Sequence, residues 1–360
     1  MSDNNYTISF TQRLKKSKGA LFGLIVIGIS LLVAVFAYYL APDSSPYGNR
    51  MIPELANQRP GFRIQALQVR RTGPVRYSSI GGKLLDGSPS PYQIIAIQSF
   101  ELLPDSVIIQ RYIDEGVSER QAFARKDCAP EPVTTIRFWL GSDRFGRDIA
   151  SRLMIGTRVS LSVGFIAVAL SLTIGIILGA LAGYFRGRTD DVIMWLINII
   201  WSIPTLLLVF AMTLVLGKGF WQVFVAVGLT MWVNVARLVR GQVLAVRELE
   251  YVEAARALGF SHLRIIVKHI LPNIMGPVLV IAANNFASAI VIEAGLSFLG
   301  VGVQPPQPSW GLMIKENYNF IITHNPMLAL APGIAIMLLV LAFNLLGNGL
   351  RDALQVKTKY

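Results

Sequence analysis

Six long apolar blocks dominate this sequence, and they decide what it can fold into. The first, Gly19 to Ala41, contains no charged residue. A helix needs about 20 residues to cross a ~30 Å hydrocarbon core, so this block is long enough to span. Five more blocks follow at about 159–183, 191–216, 220–239, 275–299 and 326–349. With 53% hydrophobic and only 15% charged residues, and a mean hydropathy of +0.52, the chain has too little polar surface for an ordinary soluble protein. The expected fold class is an all-α polytopic membrane protein with six transmembrane helices. A cleavable signal peptide is the rival reading of the first block, but it needs a shorter apolar core and a small-x-small site, and no clean one precedes Pro42.

The formal net charge of +12 raises the question of nucleic acid. The cations sit at the ends of apolar blocks instead of forming a basic face interleaved with aromatics, which argues against nucleic acid. Their distribution also orients the chain. Arg186 and Arg188, the run from Arg237 to Lys268, and Arg351, Lys357 and Lys359 fall on one side if six spans alternate, while the opposite short connections hold only Lys218 and Lys315. By the positive-inside rule, residues 1–18 and 355–360 are cytoplasmic.

Residues 42–140 change character. Phe62 to Val69 and Tyr92 to Ile97 alternate as strands do, Gly81-Gly82, Asp86-Gly87 and prolines 89, 91 and 104 supply turns, and Asp114 to Lys126 reads as a short polar helix. This predicts a small extracytoplasmic β-rich insertion between the first span (19–41) and a five-span core (141–354).

The spans carry polar residues. Pro204 is expected to kink the third by removing a backbone hydrogen bond. Asn234 lies in the fourth, Asn284, Asn285 and Ser288 in the fifth, and Asn344 in the sixth. Facing lipid would be costly, so they either bond neighbouring helices or line a wet path. Glu293, the single acid inside an apolar block, reads either as a helix-end or interface residue or, like Pro204, as a gate or packing determinant.

Little in the sequence carries chemistry of its own. The single Cys128 excludes an intrachain disulfide and a multi-cysteine metal site, and His262, His269 and His324 are poorly spaced for a metal centre. No phosphate-cradling G-x-x-x-x-G-K-[ST] loop is present, since Leu216-Gly217-Lys218-Gly219 lacks the leading glycine and the hydroxyl residue. No catalytic constellation occurs in a suitable setting either. The chain is expected not to be an enzyme, with no cofactor of its own.

One basic stretch between apolar blocks stands apart, within 247–272. Tyr251, Ala254, Ala255 and Leu258, then Leu263, Ile266, Val267 and Ile270, repeat at helical spacing on either side of Gly259. Gly259 suits a left-handed helix terminus, Ser261 can cap the next helix, and Pro272 is expected to stop it.

Glu253-Ala254-Ala255, Gly259 and Leu271-Pro272 fit the EAA signature, EAA-x3-G-x9-I-x-L-P, with His269 in the isoleucine position. Gly141 to Asp148 with Ser151-Arg152, Gly156 to Leu161, Glu293 to Gly300, Gln304 to Pro306, Pro308 to Gly311 and Asn344 to Asp352 add co-linear blocks. On these motifs the chain resembles the C-type permease subunits of dipeptide and oligopeptide ABC importers, loosely over 1–42 and densely over 137–354. The insertion at 43–136 is longer than that resemblance leads one to expect.

The resemblance implies a type I ABC importer permease fold in a bacterial inner membrane. It implies a homologous B-type permease as heterodimer partner, two ABC ATPase subunits that bind ATP-Mg, and an extracytoplasmic solute-binding protein. Glu253, Ala254, Ala255, Gly259, Leu271 and Pro272 would then form the ATPase-coupling knob, against the alternative of an amphipathic helix lying on lipid. Asn284, Asn285 and Ser288 are the expected path. Asp143 to Arg152 reads as an external elbow at the bilayer surface in which Asp148 and Arg152 pair at i, i+4, and Trp310 as an interfacial anchor; Asp143, Arg147, Asp148, Arg152 and Trp310 are alternatively contacts for the binding protein. Two other readings stay open: a permease for a non-peptide solute such as nickel complexes, and a stand-alone secondary transporter or channel.

Overall fold

A computed structural model of the chain describes residues 10–72, 79–114, 116–217, 219–320 and 325–354. His324, Lys218, Lys357 and Lys359, which entered the metal and orientation arguments, lie outside the described residues. In chain order the elements are α1 (Phe10–Lys16), α2 (Lys18–Val35), α3 (Ala37–Leu40), β1 (Phe62–Arg70), α4 (Ile80–Asp86), β2 (Tyr92–Leu102), β3 (Ser106–Asp114), β4 (Val117–Ala124), β5 (Cys128–Phe138), α5 (Ile149–Phe185), α6 (Gly187–Trp201), α7 (Thr205–Leu216), α8 (Phe220–Val246), α9 (Glu250–Ala257), α10 (His262–Ile265), α11 (Leu271–Leu299), α12 (Trp310–Asn317) and α13 (Met327–Leu354). A π-helical turn, Ile266–Ile270, joins α10 to α11. The chain forms two compact units, one of Met1–Ser30, Ser160–Val303 and Ile336–Tyr360, the other of Leu31–Val159 and Gln304–Ala335.

Among the described residues, five helices are long and apolar enough to cross a membrane, and a sixth span arises if the bent pair α6 and α7 counts as one. That pair turns by 90° between Trp201 and Thr205. The effect of Pro204 is therefore a break and not the expected kink: it takes the N-cap position of α7 with extended ψ, and no side chain caps the new helix. Proline lacks the N–H a continuous helix would need there and disfavours helical geometry in the residue before it.

In the helical unit, α5 packs on α8 through glycines one turn apart. A Cβ added at Gly175 would sit 2.5 Å from the Val235 Cβ, at Gly179 2.5 Å from the Ala236 carbonyl oxygen, and at Gly183 2.8 Å from the Arg240 carbonyl oxygen. Backbones approach this closely only where side chains are absent, the small-residue packing typical of membrane helices.

In the second unit, the five strands form one antiparallel sheet ordered β4-β3-β2-β1-β5. Its two faces bury separate clusters, Ile52, Leu55, Ala96, Tyr112 and Phe138 on one, and Leu67, Ile97, Val107, Ile109 and Cys128 on the other. Ala96 and Ile97 are adjacent and divide between the clusters, as strand alternation requires. The expected polar helix at Asp114–Lys126 is instead the edge strand β4, paired with β3 from Ser106 opposite Ala124 to Asp114 opposite Val117. Gly116, at φ +78°, makes the reversal. The strand is mostly exposed, so it shows no apolar alternation for a sequence reading to find.

Candidate functional site

The helix pair at 250–270 is built on a glycine terminus. Gly259 has φ +75°, its N–H donates to the Arg256 carbonyl (2.9 Å), and the Phe260 N–H donates to the Ala255 carbonyl (3.1 Å). This is a Schellman motif, which reverses the chain and satisfies the last carbonyls of α9. Ser261 holds the N-cap position of α10 with extended backbone, but its side chain makes no capping bond. Pro272 does not stop the second helix: residues 262–299 run on as one apolar helix. The π turn explains this. The Leu271 N–H reaches back five residues to the Ile266 carbonyl, which shifts the ladder ahead of a residue that has no N–H to give.

The pair is anchored on one side. Val252, Ala255, Ile265, Ile266 and Ile270 are buried with Ala180 and Tyr184 of α5, Val235, Val239 and Val243 of α8, and Ile274 and Val278 of α11. Polar contacts reinforce the anchor: Tyr184 Oη and His262 Nδ1 share a hydrogen bond of 2.9 Å, and Arg247 Nη1 donates to the Tyr184 carbonyl. Asp190 of α6 accepts two bonds from Arg240 of α8, at 2.5 and 2.6 Å. His269, in the isoleucine position of the motif, stacks on Phe260 across the reversal, with ring centroids 5.8 Å apart.

The outer side is the surprise. Leu258 is 73% exposed and Leu263 72%, and Leu249, Tyr251 and Val267 are exposed with them. Glu253 and Ala254 are exposed, whereas Ala255 faces inward, so only one of the two alanines of the motif is open to a partner. The two periodic sets therefore divide: Tyr251, Ala254, Leu258, Leu263 and Val267 are uncovered, while Ala255, Ile266 and Ile270 pack inward. Leu271 is half-buried and Pro272 exposed, one turn beyond.

The polar residues of the spans partly converge. A cavity of about 410 Å³ lies between the α6–α7 break, α8, α11 and α13. Asn285 and Ser288 line it together with Asn234, Asn344, Thr205, Thr230 and Trp201. Asn284, expected beside them, does not: its Oδ1 lies against Gly347 of α13, 2.7 Å from where a Cβ would stand. Glu293 is wholly buried, and its Oε1 accepts from Ser297 Oγ at 2.7 Å. Ser297 Oγ in turn accepts from the Val303 N–H at 3.0 Å and holds the chain after α11.

In the second unit, Asp143 to Arg152 is not an exposed elbow. Asp143, Arg147, Asp148 and Arg152 are all buried. Arg147 bonds Asp143 (2.6 Å) and Glu316 of α12 (2.8 Å), and Arg152 also reaches Glu316 (3.4 Å). Asp148 does not pair with Arg152 but caps α5, accepting from the N–H and Oγ of Ser151 at 2.8 and 2.5 Å. Burial raises its carboxyl pKa, opposed by the Ser151 bonds, with Asp43 raising it further and Arg50 lowering it. Trp310 is likewise interior and not an interfacial anchor: its indole donates to the Leu153 carbonyl at 3.0 Å. None of the five presents a surface to a docking protein. Glu316, the carboxylate both arginines share, carried no motif and was missed.

Long apolar helices around a polar cavity, with an anchored helix pair showing an apolar outer face, define a multi-span membrane transport component. The chain belongs to the family of binding-protein-dependent transport system inner membrane components, whose model matches residues 175–360. Residues 6–60 match the N-terminal transmembrane domain of oligopeptide transport permease C. Over 221 residues the chain is 43% identical to a glutathione transport system permease protein of Pectobacterium atrosepticum, which covers 61% of this chain and 73% of that one. It is 42% identical to an oligopeptide transport system permease protein of Bacillus subtilis (61% and 72% covered) and 43% identical to a dipeptide transport system permease protein of Alkalihalophilus pseudofirmus (61% and 72%). A solved methionine ABC transporter in an inward-facing conformation aligns with 56% of this chain and 97% of its own, at 20% identity and a TM-score of 0.47.

Proposed function

We propose that this chain is the C-type permease of an ABC importer that moves short peptides inward, and that α9 and α10 are the element through which a separate ATPase drives it. The observation that carries the coupling role is the uncovered apolar face around Leu258 and Leu263 on a helix pair whose opposite face is locked into the bundle. Two leucines left about three-quarters exposed, one on each helix side of Gly259, mark an interaction site. A rigid anchor is what transmits a push. Closure of two ATPase subunits on ATP-Mg would move α9 and α10, and through the π turn α11, switching the spans between outward and inward openings.

The peptide solute is supported by the named relatives and by the permease C match over residues 6–60. A homologous B-type permease completes the pathway, a solute-binding protein delivers cargo from outside, and both termini lie in the cytoplasm, in line with the positive-inside rule. The sheet at 62–138 then stands on the extracytoplasmic side. Asn285 and Ser288 belong to the path; Asn284 falls outside it.

The test is the pair Leu258→Asp and Leu263→Asp. Both positions are exposed, so each chain is expected to reach the membrane at parental levels, yet to lose copurification of the ATPase subunits and peptide uptake. Parental copurification and uptake in both variants would sink the coupling role, and uptake by the purified chain in liposomes with no ATPase present would favour a secondary transporter.

A further inference from the structure

Building on the peptide-permease reading, we infer that the cavity of about 410 Å³ is itself a holding site for a short peptide with a free C-terminal carboxylate. Its volume falls within the ~300–1,000 Å³ range of small-ligand pockets. Its lining contains no Asp, Glu, Lys or Arg, but brings together Asn234 of α8, Asn285 of α11 and Asn344 of α13. An asparagine amide offers both a carbonyl acceptor and two N–H donors, the complement of a peptide bond and indifferent to side chains. Met231, Val291, Ile292 and Val340 supply apolar wall beside them.

Asn285 shows that the set is incomplete. The residue is 5% exposed, and its Nδ2 has no hydrogen-bond partner among the described residues. A buried donor without an acceptor is costly and calls for a ligand to complete it.

The second observation gives the ligand its charge. Helix α7 begins at the cavity wall, where Ile203, Thr205 and Leu208 line it. Pro204 offers no side-chain cap, and the first turn has no acid. The opening N–H groups of this 12-residue helix lack intrahelical acceptors and carry the positive end of its dipole. On the other side of the break, Trp201 lines the cavity and the Arg237 guanidinium carbon stands 3.7 Å from its ring centroid. Positive charge thus gathers at the break, and no carboxylate stands among the described residues that line the cavity. A broken helix whose N-terminus meets an anionic group is a physically favoured arrangement inside a membrane. The carboxylate sits at the start of α7, and the backbone amides lie along the asparagines.

The probe is radiolabelled trialanine, and the protein is the purified complex of this chain with its partner permease and ATPases, without the binding protein. The parental complex is expected to retain trialanine. Retention should weaken about tenfold or more for the C-terminal amide of the same peptide, which gives up bonds to a charged group, and for Asn285→Leu and Asn285→Asp, which leave a buried peptide carbonyl without its donor. Asn284→Leu, off the cavity, should bind as the parent does. Equal retention of acid and amide overturns the inference, as does parental binding by Asn285→Leu, or no retention while the complex still imports trialanine with the binding protein present. In that last case the peptide-permease reading stands and only the site falls. Failure of import with the binding protein present overturns the peptide reading and this inference with it.

Discussion

Glu316 offers a sharp test of whether the buried charges of the second unit hold the fold together. Its Oε2 accepts from Arg147 Nη2 at 2.8 Å and Arg152 Nη2 at 3.4 Å, and the two arginine side chains are only 3% and 1% exposed. Replacing it with Leu leaves the two guanidiniums in unequal positions. Arg147 keeps Asp143 at 2.6 Å, whereas Arg152, whose Nε and Nη1 have no hydrogen-bond partner among the described residues, loses its carboxylate. Orphaning one buried charge costs about 3–5 kcal/mol. Glu316→Gln retains a neutral acceptor and should cost less. The decisive variant is Arg152→Met with Glu316→Leu, which removes the orphan and should recover most of the loss, because a buried ion pair exchanged for apolar groups of similar volume is often neutral. Thermal unfolding of the detergent-purified chains, read by fluorescence-detected size exclusion, supplies the cycle. If Glu316→Leu melts with the parent, or the double variant loses the sum of the two single losses, the network contributes nothing and the reasoning fails.

Two further outcomes follow from the same geometry. In limited proteolysis, Gly179→Leu should sharply lower the resistant, folded fraction, because its side chain meets the Ala236 backbone, while Gly241→Ala, where a Cβ meets nothing within 4 Å, should match the parent. Because burial raises the Asp148 carboxyl, the folded state binds that proton more tightly than the unfolded one. Its contribution to stability is then full below the ordinary carboxylate range and shrinks as pH rises through the raised value. Asp148→Asn keeps a capping oxygen, so its melting temperature should gain on the parent's as pH rises through that window, and a constant difference across it would contradict the assignment.

What the sequence disclosed depended on whether a residue's role was local. The apolar blocks, strands β1 and β2 and the left-handed Gly259 were legible because length, alternation and backbone freedom are properties of a short window. The break at Pro204 was read as a kink, since proline alone does not tell how far the next helix swings. Pro272 was misread because the π turn that accommodates it depends on the five residues before it. The helical spacing of Leu258 and Leu263 did not tell which side they take, because periodicity is the same whether a stripe packs on its own chain or waits for another. Arg147 and Arg152 read as external because their neutralising carboxylate, Glu316, lies more than 160 residues away. For the cavity, the residue types were visible, but the separation of Asn284 from Asn285 was not: adjacent residues on a helix point about 100° apart, and only packing says which one faces inward.

The coupling face is tested most directly by labelling. With the buried Cys128 replaced by Ala, single cysteines at Leu258→Cys, Leu263→Cys and, as a control on the exposed edge strand, Glu119→Cys can be reacted with a water-soluble maleimide, with and without the ATPase subunits. All three should react readily in the chain alone. Assembly with the ATPases should slow the first two by about tenfold or more, as burial at an interface core does, and leave Glu119→Cys unchanged. Equal labelling of Leu258→Cys and Leu263→Cys in both states would contradict the claim that this face is where the ATPase takes hold.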